Sequence, residues 1–223
     1  MHHIRPHKLF NLVVSSSYEE RMVKVVLPDQ RTPILLESAV LLALAKLVRP
    51  RTFFEFGTFL GIEILNMAAN LPPETRLYTL DLDEESARHI QQEEYERGLT
   101  KVHMEMRDKL AFLGSAYEGK ITRLYGDSRR FNFTPFHGRI DMVYVDGGHE
   151  LQTLTSDTKN AYKLLSQDHT ACIAWHDFGF PKAPAVEPYL TELSASRELF
   201  HVEETMVVFY LANVPELVAK LTG

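Results

Sequence analysis

The chain is poor in the features that staple, anchor or linearise a protein. Its single cysteine, Cys172, cannot form an internal disulfide, and it sits in an apolar run where a buried thiol behaves as a small hydrophobe. No segment reaches the ~18 consecutive apolar residues of a membrane-spanning helix, and "MHHIRPHKLF" lacks the apolar core of a secretory signal. The expectation is a soluble, cytoplasmic protein in a reducing compartment. Basic charge is scarce too: 24 Lys and Arg against 30 Asp and Glu give a net charge of −6. That argues against the broad electropositive face that nucleic-acid backbones need. There is no repeat, no low-complexity tract and no Gly/Ser linker, so nothing marks a boundary between domains.

What is present is a chain of 223 residues, 45% of them apolar, enough for one sizeable core. Residues 1–32 are mixed and polar, with "SSSYEER" offering a serine cap to a short helix, and read as an N-terminal cap or extension. Residues 33–223 read as a single domain. Thr32 and Pro33 open a helix that stops at Arg49-Pro50. "TFFEFG" then predicts a strand, "TFLGIEILNMAANLPP" a helix, "RLYTLDLD" a strand, and "EESARHIQQEEYERG" one polar helix ending at Gly98. A further helix is expected around Lys109 to Tyr117. "KITRLYGDS", "RIDMVYVDGG" and "HTACIAWHDF" predict strands, with a helix over "ELQTLTSDTKNAYKLLSQ" before the last. Alternation of this kind implies an α/β fold, a doubly wound and mostly parallel sheet with helices on both faces. "ELFHVEET" and "MVVFYLA" add a C-terminal antiparallel hairpin and bring the sheet to seven strands.

Open parallel sheets bind ligands outside the carboxyl ends of their strands, where the strand order reverses. Polar residues close five successive strands here: Glu55, Asp81, Asp127, Asp146, and His176 with Asp177. All should converge on one cleft. The first turn, "EFGTFLG", is not the G-x-G-x-x-G of pyrophosphate binders, which counts against a nicotinamide-dependent dehydrogenase. Gly57 and Gly61 would still admit a ligand close to the backbone, and the helix opening after Thr58 favours an anion. Asp81, at the tip of the second strand, is placed to accept both hydroxyls of a ribose.

Together Glu55-Phe-Gly57-Thr58-Phe-Leu-Gly61, Asp81, Gly126-Asp127-Ser128, Asp146-Gly-Gly-His149 and His176-Asp177 resemble the class I S-adenosylmethionine-dependent methyltransferases, whose sheet is Rossmann-like. More narrowly they resemble the small-molecule O-methyltransferases, with E-x-G-T-x-x-G after the first strand and D-G-x-H after the fourth. The resemblance implies S-adenosylmethionine as cofactor. Gly57, Thr58 and Gly61 would border its methionine end, Glu55 would fix that loop, Asp81 would hold the ribose, and Asp127 and Ser128 would face the adenine. Asp146 would lie beside the sulfonium and the acceptor. Glu63 departs from the pattern, standing where relatives carry a small hydroxyl residue. The positions that hold a divalent ion in catechol-type relatives are Asp146, His176 and Asp177 here, a set that admits Mg²⁺ weakly but suits a transition metal such as Mn²⁺ better.

Methyl transfer is an in-line displacement that needs alignment and removal of the acceptor's proton. His149 and His176, with Asp146, are the catalytic candidates. Against that, His149 also reads as a cap residue packed beside Asp146, and His176 as a structural hydrogen-bonding residue or metal ligand. Trp175 reads as core before stacking platform, and Arg129-Arg130 as a solvated pair before an anion clamp. O-methylation of a small hydroxylated molecule leads. N-methylation of a small molecule and a non-catalytic cofactor-binding scaffold are the alternatives. The expected partners are a small-molecule acceptor and a second copy of the chain, with neither nucleic acid nor membrane.

Overall fold

The structure, a computed structural model, describes residues 1–13, 23–25 and 35–223. The expected "SSSYEER" helix and the Thr32-Pro33 helix start lie outside the described residues. A short strand β1 (His2–Ile4) and helix α1 (Pro6–Val13) come first, followed by α2 (Leu35–Val48). Strands and helices then alternate through β2 (Thr52–Phe56), α3 (Ile62–Asn70), β3 (Arg76–Asp81), α4 (Glu84–His89), α5 (Glu94–Met106) and β4 (Ile121–Tyr125). After β5 (Met142–Val145), α6 (Leu151–Leu164) and β6 (Ala171–Trp175) come α7 (Val186–Leu193), β7 (Leu199–Val202), β8 (Val208–Ala212) and α8 (Pro215–Thr222).

The eight strands of the described residues join one sheet in the order β1-β7-β8-β6-β5-β2-β3-β4. β8 runs antiparallel to both β6 and β7, and every other pairing is parallel. The seven expected strands are all present, and β1 adds an eighth beside β7 that "HHI" is too short and polar to announce.

Strand periodicity splits the core in two. Phe53, Met142, Tyr144, Cys172 and Ala174 face one layer, with α2 and α3, while Phe54, Phe56, Val143, Val145, Ile173 and Trp175 face the other, with α6 and α7. Strands covered on both faces explain why "TFFEF", "MVYV" and "ACIAW" are apolar without alternation. Trp175 is fully buried in that second layer and donates from Nε1 to Thr158 Oγ1 at 2.9 Å, so it is core. Cys172 is likewise enclosed, and burial pushes its thiol pKa up, away from thiolate chemistry.

Two helix boundaries differ from the sequence expectation. The polar run after β3 makes two helices with a break between His89 and Glu94, and Gly98 lies inside the second. The first is set by Asp83, whose side chain accepts from Ser86 N, while the second runs on to Met106 because Gly98 is not obliged to terminate a helix that neighbours hold. The helix expected around Lys109 to Tyr117 is a series of turns instead, followed by a 3₁₀ turn at Glu118–Lys120. Leu110 and Phe112 are pinned in the core there, and Gly114 adopts a positive φ of 73° that breaks helical continuation.

Candidate active site

The chain leaves β2 for β3 and β4 on one side, then crosses back to place β5 and β6 on the other. At that reversal the strand tips surround a cavity of about 510 Å³. Every predicted site residue except Gly61 lines it: Glu55, Gly57, Thr58, Asp81, Asp127, Ser128, Asp146, His149, His176 and Asp177. Gly61 lies behind the wall as the left-handed N-cap of α3 (φ 74°), where a Cβ would strike the Phe112 ring at 2.8 Å.

The glycine turn is tight because β2 and β5 meet there. Gly57 has φ 89°, and a Cβ on it would lie 2.1 Å from the Asp146 carbonyl oxygen. Asp81 draws the same turn toward β3: Thr58 N and Phe59 N donate to its Oδ2 at 2.9 and 2.8 Å, and Leu82 N donates to Oδ1 at 2.7 Å. Behind them Thr79 Oγ1 donates to Glu55 Oε2 at 2.5 Å and lies 2.7 Å from Thr58 Oγ1. Burial raises the Glu55 carboxyl well above the ordinary range, so Glu55 works as an internal brace for the turn. Glu63, in the first turn of α3, is also raised by burial, against hydrogen bonds from Ser38 and Asn66 that lower it.

Across the cavity, two imidazoles and four carboxylates form a chain. His149 Nδ1 lies 2.5 Å from Glu96 Oε1 and Nε2 lies 2.6 Å from Asp177 Oδ2. His176 Nε2 lies 2.9 Å from Glu37 Oε2, and Nδ1 lies 3.2 Å from Asp146 Oδ1 and 3.3 Å from Asp177 Oδ1. Carboxylates only accept, so a ring nitrogen facing one must carry a proton, and each ring is held as the imidazolium. Burial alone would lower the His149 pKa, but hydrogen bonds to Asp177 and Glu96 push it up to about 10. His176 is raised well above its usual value in the same way, by Asp146, Asp177 and Glu37 against burial. Asp177 is buried, which would raise it, yet the two imidazoles hold it well below the usual carboxylate range. Its backbone is left-handed at φ 63°, as is that of Phe59 at φ 45°, a strain of ~1–3 kcal/mol each that clusters where loops are fixed for function.

Neither histidine therefore offers a free lone pair at neutral pH. Asp146 is the most exposed acid of the cluster, with 28% of its side chain accessible. Among the described residues, the donor atoms that converge within 4.8 Å as a metal set are those of Asp146, His149 and Asp177. His176, expected in that set, has Nε2 turned to Glu37 and Nδ1 facing Asp146 and Asp177. Asp127 is clamped: Arg129 reaches its two oxygens from Nε at 2.9 and 3.2 Å and from the terminal nitrogen at 2.8 Å. Although burial favours the neutral acid, those bonds lower the Asp127 pKa.

Four contributors escaped the sequence reading. Glu37 was the most legible, as a lone acid in the otherwise apolar "LLESAVLLALAKLV"; it is 1% exposed and also accepts from Met206 N at 2.8 Å. Glu96 and His103 are hidden in a helix rich in charge, and Asp157 on the polar α6 carries no local signal. Glu63 Oε2, His103 Nε2 and Asp157 Oδ1 are buried atoms of cavity-lining residues without a hydrogen-bond partner. A cavity with a glycine-built wall and unsatisfied polar atoms suits a ligand with many polar groups, as S-adenosylmethionine has.

Comparison with known proteins speaks to family and fold. The profile of a family described as "Methyltransferase domain" matches residues 54–178. No curated protein matches the chain by sequence. Among solved structures, the chain is similar to the O-methyltransferase TomG from Streptomyces achromogenes, involved in tomaymycin synthesis and determined with SAM, at 18% identity and a TM-score of 0.55, covering 93% of this chain and 97% of that one. An O-methyltransferase from Bacillus cereus in complex with SAH aligns at 15% identity and TM-score 0.52, covering 92% and 88%. The SAH-bound Podospora anserina methyltransferase PaMTH1 aligns at 14% and 0.52, covering 92% and 86%. At these identities the likeness is one of fold, that of the class I methyltransferases.

Proposed function

The chain belongs to the methyltransferase-domain family, and from that premise we propose that it transfers the methyl group of S-adenosylmethionine to a hydroxyl of a small acceptor. The observation that carries this reading is the meeting of the Asp146 backbone with the Gly57 turn, beside the loop that would border the methionine end of the cofactor, with 28% of the Asp146 side chain accessible. The cofactor supplies an activated methyl on a sulfonium.

The chain's residues do the rest. Thr58 and Gly61 shape the turn, and Asp81 anchors it while facing the ribose. Asp146 accepts the acceptor's hydroxyl hydrogen and takes its proton as the oxygen attacks. His149 and His176, as cations, hold Asp146 and Asp177 in place, a positioning role and not that of a base. The acceptor is uncharged or cationic. Among the described residues lining the cavity there is no Lys or Arg, and two imidazoliums among four carboxylates leave the chain of charges net negative. An amine would be held there as ammonium with its lone pair blocked, which favours oxygen over nitrogen as nucleophile.

A divalent ion fits Asp146, His149 and Asp177 once His149 has given up its proton, and there it would acidify and orient the acceptor hydroxyl. Incubating the protein with S-adenosylmethionine and a panel of phenols, sugars and other hydroxylated metabolites tests the reading by mass spectrometry. A product heavier by one methylene, formed together with S-adenosylhomocysteine, is the expected result. Methylation confined to amines would overturn it.

A further inference from the structure

We propose that Asp157, on α6, recognises the exocyclic amine of the cofactor's adenine. The inference rests on S-adenosylmethionine being the cofactor, and concerns a residue outside the strand-end motifs.

Asp157 is 1% exposed, lines the cavity, and leaves Oδ1 without a partner among the described residues. Buried acceptors are nearly always paired, so an orphan on a cavity wall points to a donor that arrives from the cavity. Its place in the fold identifies that donor. The carboxyl hydrogen-bonds Ser128, at the tip of β4, and its Oδ2 lies 3.1 Å from where a Cβ on Gly147 would stand, at the tip of β5. With Asp81 on β3 marking the ribose, the Ser128–Gly147 corner is the far, nucleobase end of the site. The amine of adenine brings two N–H donors to that corner, and a carboxylate with a free oxygen is their complement. Asp127, where the family pattern puts this contact, has both oxygens held by Arg129, so an amine there must compete with a bidentate guanidinium. The absent side chain of Gly147 leaves room for the Asp157 carboxyl, which any Cβ at that position would crowd.

The test is a ratio of affinities. S-adenosylhomocysteine and S-inosylhomocysteine differ at the 6-position, an amine in one and a carbonyl in the other. Binding of each is measured by calorimetry to the wild type, Asp157→Asn and Asp127→Asn, at a pH of about 8.5, where the Asp157 carboxyl, pushed up to about 7 by burial, is ionised. The wild type should prefer the adenosine form by about tenfold or more, the loss expected when a buried polar contact is replaced by an opposed one. Asp157→Asn should bring the preference to within about threefold, because an amide can also donate to the carbonyl. Asp127→Asn, at a residue that lines the same cavity, can weaken both ligands but should leave their ratio in place. If the preference persists in Asp157→Asn, or both ligands weaken equally, Oδ1 is satisfied by a buried water or serves the fold alone, and the proposal fails. If the wild type binds neither ligand, the cofactor reading fails instead. Should Asp157→Asn not fold, the wild type with the N6,N6-dimethyl analogue decides: this ligand has no hydrogen to donate, and binding equal to that of S-adenosylhomocysteine would overturn the proposal.

Discussion

His149 is suspended between Glu96 and Asp177, one ring nitrogen 2.5 Å from the first and the other 2.6 Å from the second. The contact ties α5 to the loops that follow β5 and β6, so the side wall of the cavity is closed by charge as well as by packing. His176 repeats the arrangement one step deeper, reaching from Asp146 and Asp177 to Glu37 on α2.

This clamp predicts a particular pH profile of stability. The imidazole pKa of His149 rises from 6.5 to about 10 on folding, so its contribution is complete below pH ~6.5 and disappears as pH climbs through about 10. Asp177, lowered by the same pair, loses its share only as pH falls below the ordinary carboxylate range; the two describe one interaction seen from both ends. Thermal midpoints should therefore hold steady from mildly acidic to near-neutral pH and decline above it. His149→Gln should lower the midpoint at pH ~6, by an amount equivalent to ~3–5 kcal/mol for an orphaned buried charge, and flatten the decline. A wild type whose midpoint rises from pH ~7 to ~10 would contradict the clamp.

Gly57→Ala tests the meeting of β2 and β5. A methyl group at a φ of 89° would lie 2.1 Å from the Asp146 carbonyl oxygen, so the turn must open. Denaturant titration should show a loss of ~2–4 kcal/mol, and S-adenosylhomocysteine binding should fall at least tenfold. Gly98→Ala, in a helix with open space around it, should instead be neutral or stabilising by ~0.5–1 kcal/mol. Equal effects at the two sites would show that the turn is not constrained as described.

Asp146→Asn separates chemistry from binding. The amide keeps the shape but cannot take a proton, so single-turnover methyl transfer should drop ~10²–10⁴-fold while S-adenosylhomocysteine affinity stays within a few-fold. His176→Gln should weaken transfer less. If it abolishes transfer and Asp146→Asn does not, the base assignment is wrong.

Manganese offers a fourth test. An ion ligated by Asp146, His149 and Asp177 must displace one proton from an imidazole with a pKa of about 10, so affinity should tighten about tenfold per pH unit between pH ~7 and ~9. Titration of Mn²⁺ in this range, read by calorimetry, should show that slope in the wild type and lose it in His149→Ala. Binding independent of pH would mean that the ion sits elsewhere.

Much of this was legible in the sequence because strand ends are written locally. "TFFEFG", "RLYTLD", "DMVYVDGG" and "ACIAWHD" each combine an apolar run with a polar stop, and a parallel sheet brings such stops to one edge whatever the helices do. The wall opposite them was not legible. Glu37, Glu96 and Asp157 come from three helices, and which helical residue faces the cleft depends on how each helix is rotated against the sheet, a tertiary fact that no local pattern encodes. The same limit hid the roles of the histidines. Their spacing from Asp146 was visible, but the acids that protonate them lie at Glu37, Glu96 and Asp177, two of them far away in the chain. The strand β1 was missed for a related reason, since "HHI" becomes a strand only by pairing with β7.

The most direct measurement is a calorimetric titration of the wild-type protein with S-adenosylmethionine. The account predicts one molecule bound per chain with a dissociation constant of roughly micromolar order, displaced by S-adenosylhomocysteine. Absence of binding up to millimolar cofactor would contradict it, and would leave the converging acids at the strand tips to some other ligand.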